Sequence, residues 1–195
     1  MTDWVNGTVE AMTRWSDKLC SIKVKADLAQ YNAGQFGKLS LIIDGERVSR
    51  AYSFVNAPDA GYHEFYIIKI PEGRLSPRLL DLQPGESVQI SREASGFMTL
   101  NEVPDGRDLW MMATGTAIGP FLSILSDRQV FERFDNVVLV HGVREKQDLT
   151  YQSLIQTVKS QWFPRFSYIP VVSREDCPEI LQGRIPALLI NGLLE

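Results

Sequence analysis

The chain has 195 residues, and at about 150 residues per domain that means one large or two small globular units. Apolar residues make 44% and charged residues 23%, ordinary globular usage that excludes disordered, collagen-like and coiled-coil chains. With 20 Lys plus Arg against 24 Asp plus Glu the net charge is -4, so no global basic field attracts nucleic acid or anionic lipid, and any anion site has to be local.

Up to residue 100 the sequence runs in short β-branched or aromatic stretches punctuated by Gly, Pro, Asn and Asp, the spacing of an antiparallel barrel. Six strands are expected, over residues 5–15, 19–25, 36–43, 48–55, 64–70 and 87–92. Asp44-Gly45 predicts a hairpin, because both residues tolerate the positive φ angles of a two-residue turn. One helix interrupts the strands over residues 75–82, with Ser76 placed to cap it, Pro77 at its first position and Pro84-Gly85 ending it. After Pro104-Asp105-Gly106 the texture changes to apolar strands alternating with helix-length segments, the pattern of parallel β-α-β construction. Strands are expected at 109–113, 137–141 and 168–172, and helices at 120–127, 149–161 and 184–192. The fold class is therefore an antiparallel β-barrel over residues 1–100, followed by a parallel α/β domain over 101–195 that is thin for want of a fourth strand.

Neither terminus nor interior carries a leader-like or membrane-length apolar run, and Cys20 and Cys177 lie far apart without a CxxC pair. The expectation is a reduced, cytoplasmic protein that spans no membrane and holds no metal. His63 and His141 are the only histidines, one in each half, too few for a metal cluster or a nucleophile triad. His141 reads as a hydrogen-bonded core residue, and Trp4, Trp15, Trp110 and Trp162 read as packing. An enzyme built this way needs a cofactor for its chemistry.

Four places could hold one. The helix start at Ser76, flanked by Arg74 and Arg78, could take an anion or could be plain structure. Arg50-Ala51-Tyr52-Ser53 sets a guanidinium, a ring and a hydroxyl at a strand end, with Arg50 and Tyr52 on one face and Ser53 on the other; an exposed arginine beside a half-buried tyrosine is the plainer alternative. The run from Thr114-Gly115-Thr116 to Gly119-Pro120 joins a strand to a helix through glycine. It is neither a P-loop nor GxGxxG, and it suits a nucleotide or simply a tight turn. Val143-Arg144, Ser173-Arg174 and Arg184 follow the next strand ends, where three arginines could converge and where Ser plus Arg suits a 2′-phosphate better than a ribose hydroxyl. Glu145 and Glu175, beside two of these arginines, could equally pair with them at the surface.

Taken in order, Ala33-Gly34-Gln35-Phe36, Arg50-Ala51-Tyr52-Ser53, residues 74–79, residues 114–120 and Val172-Ser173-Arg174-Glu175 resemble the bacterial ferredoxin or flavodoxin NADP reductases, along the whole chain. The resemblance implies an FAD-binding barrel before an NADP-binding α/β domain, and hydride transfer between NADPH and FAD followed by single-electron exchange with a small ferredoxin or flavodoxin. It implies that Arg50 and Ala51 meet the FAD pyrophosphate, Tyr52 packs on the flavin ring and Ser53 hydrogen-bonds near the hydride-accepting nitrogen, with no acid-base residue required. Backbone of Tyr66, Ile67, Ile68 and Lys69 would line the flavin, and Arg74, Leu75 and Ser76 would hold the phosphates. Thr116 would lie where flavin and nicotinamide meet, while Val143, Arg144, Ser173, Arg174 and Arg184 would bind NADP. The complete protein would be a monomer that binds no nucleic acid. The family continues with a Cys-Gly-Asn/Ser-Pro strand, a further helix and strand and a tail, so the chain is expected to be part of a longer protein. Two other functions stay open, the reductase component of an oxygenase and a flavin-binding module without turnover.

Overall fold

The computed structural model describes residues 2–194. The N-terminal half is one antiparallel sheet of six strands, β1 (Trp4–Arg14), β2 (Leu19–Lys25), β3 (Phe36–Ile43), β4 (Glu46–Ser53), β5 (His63–Ile68) and β6 (Ser87–Ser91), in the order β4-β3-β6-β1-β2-β5. The sheet curls until its two edges touch at an isolated Phe54–Phe65 bridge. Period-two alternation drives the curl: Leu39, Ile22, Val24, Phe65, Ile67 and Ile90 point inward and are fully or nearly fully buried. Asp44 and Gly45 make the expected hairpin at φ 54° and 78°. Helix α1 (Ser76–Asp81) plugs the open end with Leu79 and Leu80, both buried.

The C-terminal half is a parallel sheet in the order β10-β9-β8-β7, made of β7 (Asp108–Thr114), β8 (Asn136–Val143), β9 (Phe166–Val172) and the two-residue β10 (Leu181–Gln182). The expected sheet had three strands; β10 is the fourth, parallel to β9 at Leu181–Val171 and Gln182–Val172. Helices α2 (Ile118–Ser126), α3 (Gln129–Arg133) and α4 (Gln152–Trp162) and the short α5 (Ile185–Ile190) accompany it, α3 being unforeseen from sequence.

The two halves share a core. Leu19, Val55 and Tyr66 of the barrel pack in one buried cluster with Met111, Ile118, Leu122, Leu139, Tyr151 and Phe166 of the α/β half. The Ser123 hydroxyl in α2 also donates to the Asn56 carbonyl at 2.7 Å, so the seam carries buried polar bonds as well as apolar contact.

Candidate active site

On the barrel, the end of β4 presents Arg50, Ala51, Tyr52 and Ser53 in that order. Arg50 is exposed, and among the described residues its side chain donates only to the neighbouring Ser49 carbonyl, from Nη1 at 2.7 Å. Tyr52 is half-buried, and burial raises its phenol pKa against the lowering pull of Arg50. Gly119, in the first turn of α2, approaches this strand end: a Cβ there would lie 3.5 Å from Val55 and 4.0 Å from Ser53. Arg74 is exposed and pairs with Glu46 at 3.0 Å, while Arg78 reaches back to the Arg74 carbonyl at 3.4 Å. Ser76 is the first residue of α1 and does not cap it. Its buried hydroxyl accepts the Ile70 N–H at 2.9 Å, which leaves the first amides of the helix without a side-chain partner.

Tyr66 and Ile67 are buried, and Ile68 and Lys69 are exposed. β5 pairs with β2 on one side; on the other it meets the chain just past β4, at the Phe54–Phe65 bridge and through the Val55 N–H to the Glu64 carbonyl. Beyond these its outer edge has no strand partner at Tyr66 and Ile68 among the described residues, whereas the Lys69 N–H is taken by the Lys18 carbonyl at 2.7 Å. A ligand could hydrogen-bond there without displacing a strand.

Across the seam, a cleft of about 530 Å³ opens at the C-terminal ends of the parallel strands. Its barrel wall is Lys18, Leu19, Tyr66 and Ile68; opposite stand Thr116 in the glycine turn, Val143, Arg144, Ser173, Arg174 and Arg184. The three arginines therefore converge, all exposed, and none forms an ion pair among the described residues. Glu145 and Glu175 do not take them: Glu145 accepts from the Gln147 side chain two residues on, and Glu175 reaches across to the loop after β8 and accepts the Lys146 backbone N–H at 2.7 Å. The Val143 side chain is buried, and its carbonyl takes both the N–H and the hydroxyl of Ser173 at 3.0 Å.

The glycine turn is held from beneath. His141, wholly buried in β8, donates from Nε2 to the Gly115 carbonyl at 3.1 Å, and burial lowers its pKa to about 4, so the ring is neutral at pH 7. Gly115 sits at φ 54°, and nothing lies within 4 Å of where a Cβ would stand. An open left-handed turn beside three unpaired guanidinium groups fits a dinucleotide phosphate. The free Arg50, the Tyr52 ring and the open β5 edge likewise fit a flavin nucleotide.

Sequence reasoning missed the residues that join the two walls. Lys18 pairs with Asp148 at 3.0 Å, Thr150 donates to the Tyr66 hydroxyl at 2.8 Å, and Tyr151 donates to Glu64 at 2.9 Å. Asp148 is buried in the cleft wall with its Oδ1 unpartnered. Burial holds the Tyr66 phenol up at about 12. The resemblance names Tyr66 for its backbone and not for its hydroxyl; Lys18, Glu64, Asp148, Thr150 and Tyr151 stand in no motif, and the last three have as local signal the Asp-Leu-Thr-Tyr run before α4.

Among the described residues no helix is long and apolar enough to cross a membrane, and no group of three His, Cys, Asp or Glu could hold a metal. Residues 10–96 match the oxidoreductase FAD-binding domain family and residues 111–195 the oxidoreductase NAD-binding domain family. The chain is 51% identical over 195 residues to a flavodoxin/ferredoxin–NADP reductase of Shigella flexneri, covering 100% of this chain and 79% of that protein. The same figures hold for the flavodoxin/ferredoxin–NADP reductase of Escherichia coli strain K12. A crystal structure of a ferredoxin NADP+ reductase from Neisseria gonorrhoeae, with bound FAD and NADP, superposes with a TM-score of 0.91 at 30% identity, over 98% of this chain and 78% of that one. Likeness of this depth, running through both halves and the seam between them, makes the chain a member of the flavodoxin/ferredoxin–NADP reductase family.

Proposed function

We propose that the chain is an FAD-dependent reductase that passes electrons between NADPH and a small ferredoxin or flavodoxin. The observation that carries this reading is a single cleft in which three unpaired arginines and an open glycine turn face a barrel wall of Leu19, Tyr66 and Ile68. When bound, FAD supplies a ring that accepts a hydride from NADPH and releases electrons one at a time. The chain's own residues bind, orient and exclude water. Arg50 takes the flavin pyrophosphate with the Ala51 backbone beside it, joined by Arg74 once it leaves Glu46, with Leu75 and Ser76 shaping the turn behind. Tyr52 packs on the ring with its phenol kept protonated by burial, Ser53 hydrogen-bonds at the ring edge near α2, and the backbone from Tyr66 through Ile67 and Ile68 to Lys69 lines it. Thr116 marks the meeting of flavin and nicotinamide. Arg144, Arg174 and Arg184 hold the NADP phosphates beside Val143, and Ser173 contributes by turning its proton away from the Val143 carbonyl.

The division into residues 1–100 and 101–195 is part of the same proposal; it is supported by the end of β6 at Ser91 and the start of β7 at Asp108. A cytoplasmic monomer without nucleic-acid binding is supported by two unpaired buried cysteines and the net charge of -4. The test is anaerobic titration of FAD-loaded protein with NADPH, followed by mixing with oxidised flavodoxin or ferredoxin. Loss of the flavin's yellow absorbance and its return on adding the carrier are expected. Colour that NADPH leaves unchanged would overturn the reading.

A further inference from the structure

The cross-seam bonds of residues 148–151 form a connected system. Glu64 and Tyr66 are two residues apart on β5 and share a face, and Ser21 of β2 stands opposite Tyr66. Tyr151 reaches over that face from the start of α4. Its hydroxyl donates to Glu64 Oε1 at 2.9 Å and hydrogen-bonds the Ser21 hydroxyl, which the Trp15 indole N–H in turn contacts at 2.7 Å. The proton directions follow. An indole N–H can only donate and the one Tyr151 proton is committed to Glu64, so Ser21 must donate to Tyr151 and a one-way chain of donors ends on the carboxylate. The ring of Tyr151 also lies 4.9 Å from Trp15 and 5.2 Å, edge-on, from Tyr66.

The backbone is bent to achieve this. Tyr151 adopts φ 58°, ψ 22°, a left-handed conformation that costs a non-glycine residue energy unless its surroundings hold it there. Three residues earlier Asp148 takes Lys18, and between them Thr150 takes the Tyr66 hydroxyl. The same loop begins at Arg144, on the opposite wall of the cleft, while Lys18 and Tyr66 are the barrel wall itself. Residues 148–151 thus tie one wall to the other.

We propose that residues 148–151 are a positioning clamp in which Tyr151 and Glu64, neither touching a reacting atom, fix the separation of the two cleft walls and so the alignment of the rings between which the hydride passes. The inference rests on the proposed reading of the cleft. Reactions between aligned partners lose about 100-fold in rate for a displacement near 1 Å, so loss of a clamp shows in the transfer step before it shows in binding.

The variants are Tyr151→Phe, Glu64→Gln, which keeps an acceptor for the Tyr151 hydroxyl, and Glu64→Leu, which removes it. In FAD-loaded protein, Tyr151→Phe and Glu64→Leu should lower the limiting rate of flavin reduction by NADPH by about tenfold or more, with the half-saturating NADPH concentration and FAD retention within about twofold of the unmutated protein. Glu64→Gln should restore most of the rate. In FAD-loaded protein without NADPH, amide hydrogen exchange at Ile67, Ile68 and Leu149 should quicken in Tyr151→Phe while that at Leu39 and Ile90, on the far side of the barrel, stays unchanged. Normal reduction rates in Tyr151→Phe, or rate losses matched by equal losses of NADPH affinity, would overturn the clamp and leave the proposed function standing. Exchange that quickens throughout the barrel would overturn it as well, by showing loss of general stability. Unmutated protein that NADPH does not reduce would overturn the proposed function, and the clamp's role in transfer with it.

Discussion

His141 contributes stability through a proton it refuses. Its folded pKa, lowered by burial to about 4, lies below the ordinary 6.5, so its contribution is complete above pH 6.5 and lost as pH falls towards 4. The shift corresponds to something on the order of 3 kcal/mol, read as the extra fall in unfolding free energy from pH 7 to pH 4 in the unmutated protein over His141→Gln, both measured in urea. Taking the difference matters because Glu64 acts with the opposite sign: burial raises its folded pKa, so its contribution is present at low pH and shrinks as pH rises through that value. At Arg50, removal of a charge-assisted phosphate contact should weaken FAD retention by about 1.5 to 3 kcal/mol, and an Arg50→Ala protein with the unmutated dissociation constant would exclude it from the site. Among the described residues Arg174 pairs with no carboxylate, so it has none to fall back on when the phosphate is absent. NADPH should therefore be preferred to NADH by about tenfold or more, and Arg174→Ala should narrow that ratio through NADPH alone, as steady-state kcat/KM values for both nucleotides will show.

At the level of elements, the Ala33-Gly34-Gln35-Phe36 run owes its glycine to a crossing of two loops. Gly34 has φ 94°, and a Cβ there would stand 1.8 Å from the Met98 carbonyl oxygen, which is backbone and cannot swing aside. Gly34→Ala should cost about 3 kcal/mol or more in denaturant unfolding, against about 1 to 2 kcal/mol for Gly85→Ala, where the positive φ strains a side chain but the space is open. Elements whose cause is local were legible in the sequence. The Asp44-Gly45 hairpin, the alternating barrel strands and the near-continuous apolar runs of β7 and β8 each carry their own signal. What escaped depends on distant partners. β10 exists because two residues happen to lie beside β9; α3 is a single five-residue helix, too short to show a period, whose first N–H is taken by the Asp127 carboxylate at 3.0 Å; and Ser76, placed by sequence to cap its own helix, serves the Ile70 N–H instead. The arginines of the cleft were readable because strand ends in a parallel sheet have a common destination. Lys18, Asp148 and Tyr151 were not, since nothing in their neighbourhood says that a turn of the barrel and the start of α4 will meet.

For the whole molecule, the shared cluster around Leu19, Val55, Tyr66, Ile118 and Tyr151 means that neither half can unfold without exposing the other's apolar surface. Heating should give one transition, with the same midpoint whether followed at the barrel's Trp4, which lies on Arg47, or at Trp162, which stacks on Phe131 in the α/β half; two separated midpoints would show that the halves are energetically independent. The domain families divide the chain between residues 96 and 111, yet the buried cluster does not divide there. The connecting stretch supplies proximity, while recognition between the halves is written into the seam itself. Cutting that stretch should therefore leave two fragments that find each other again in solution, with an affinity that reports how much of the fold's stability is really a binding energy between its parts.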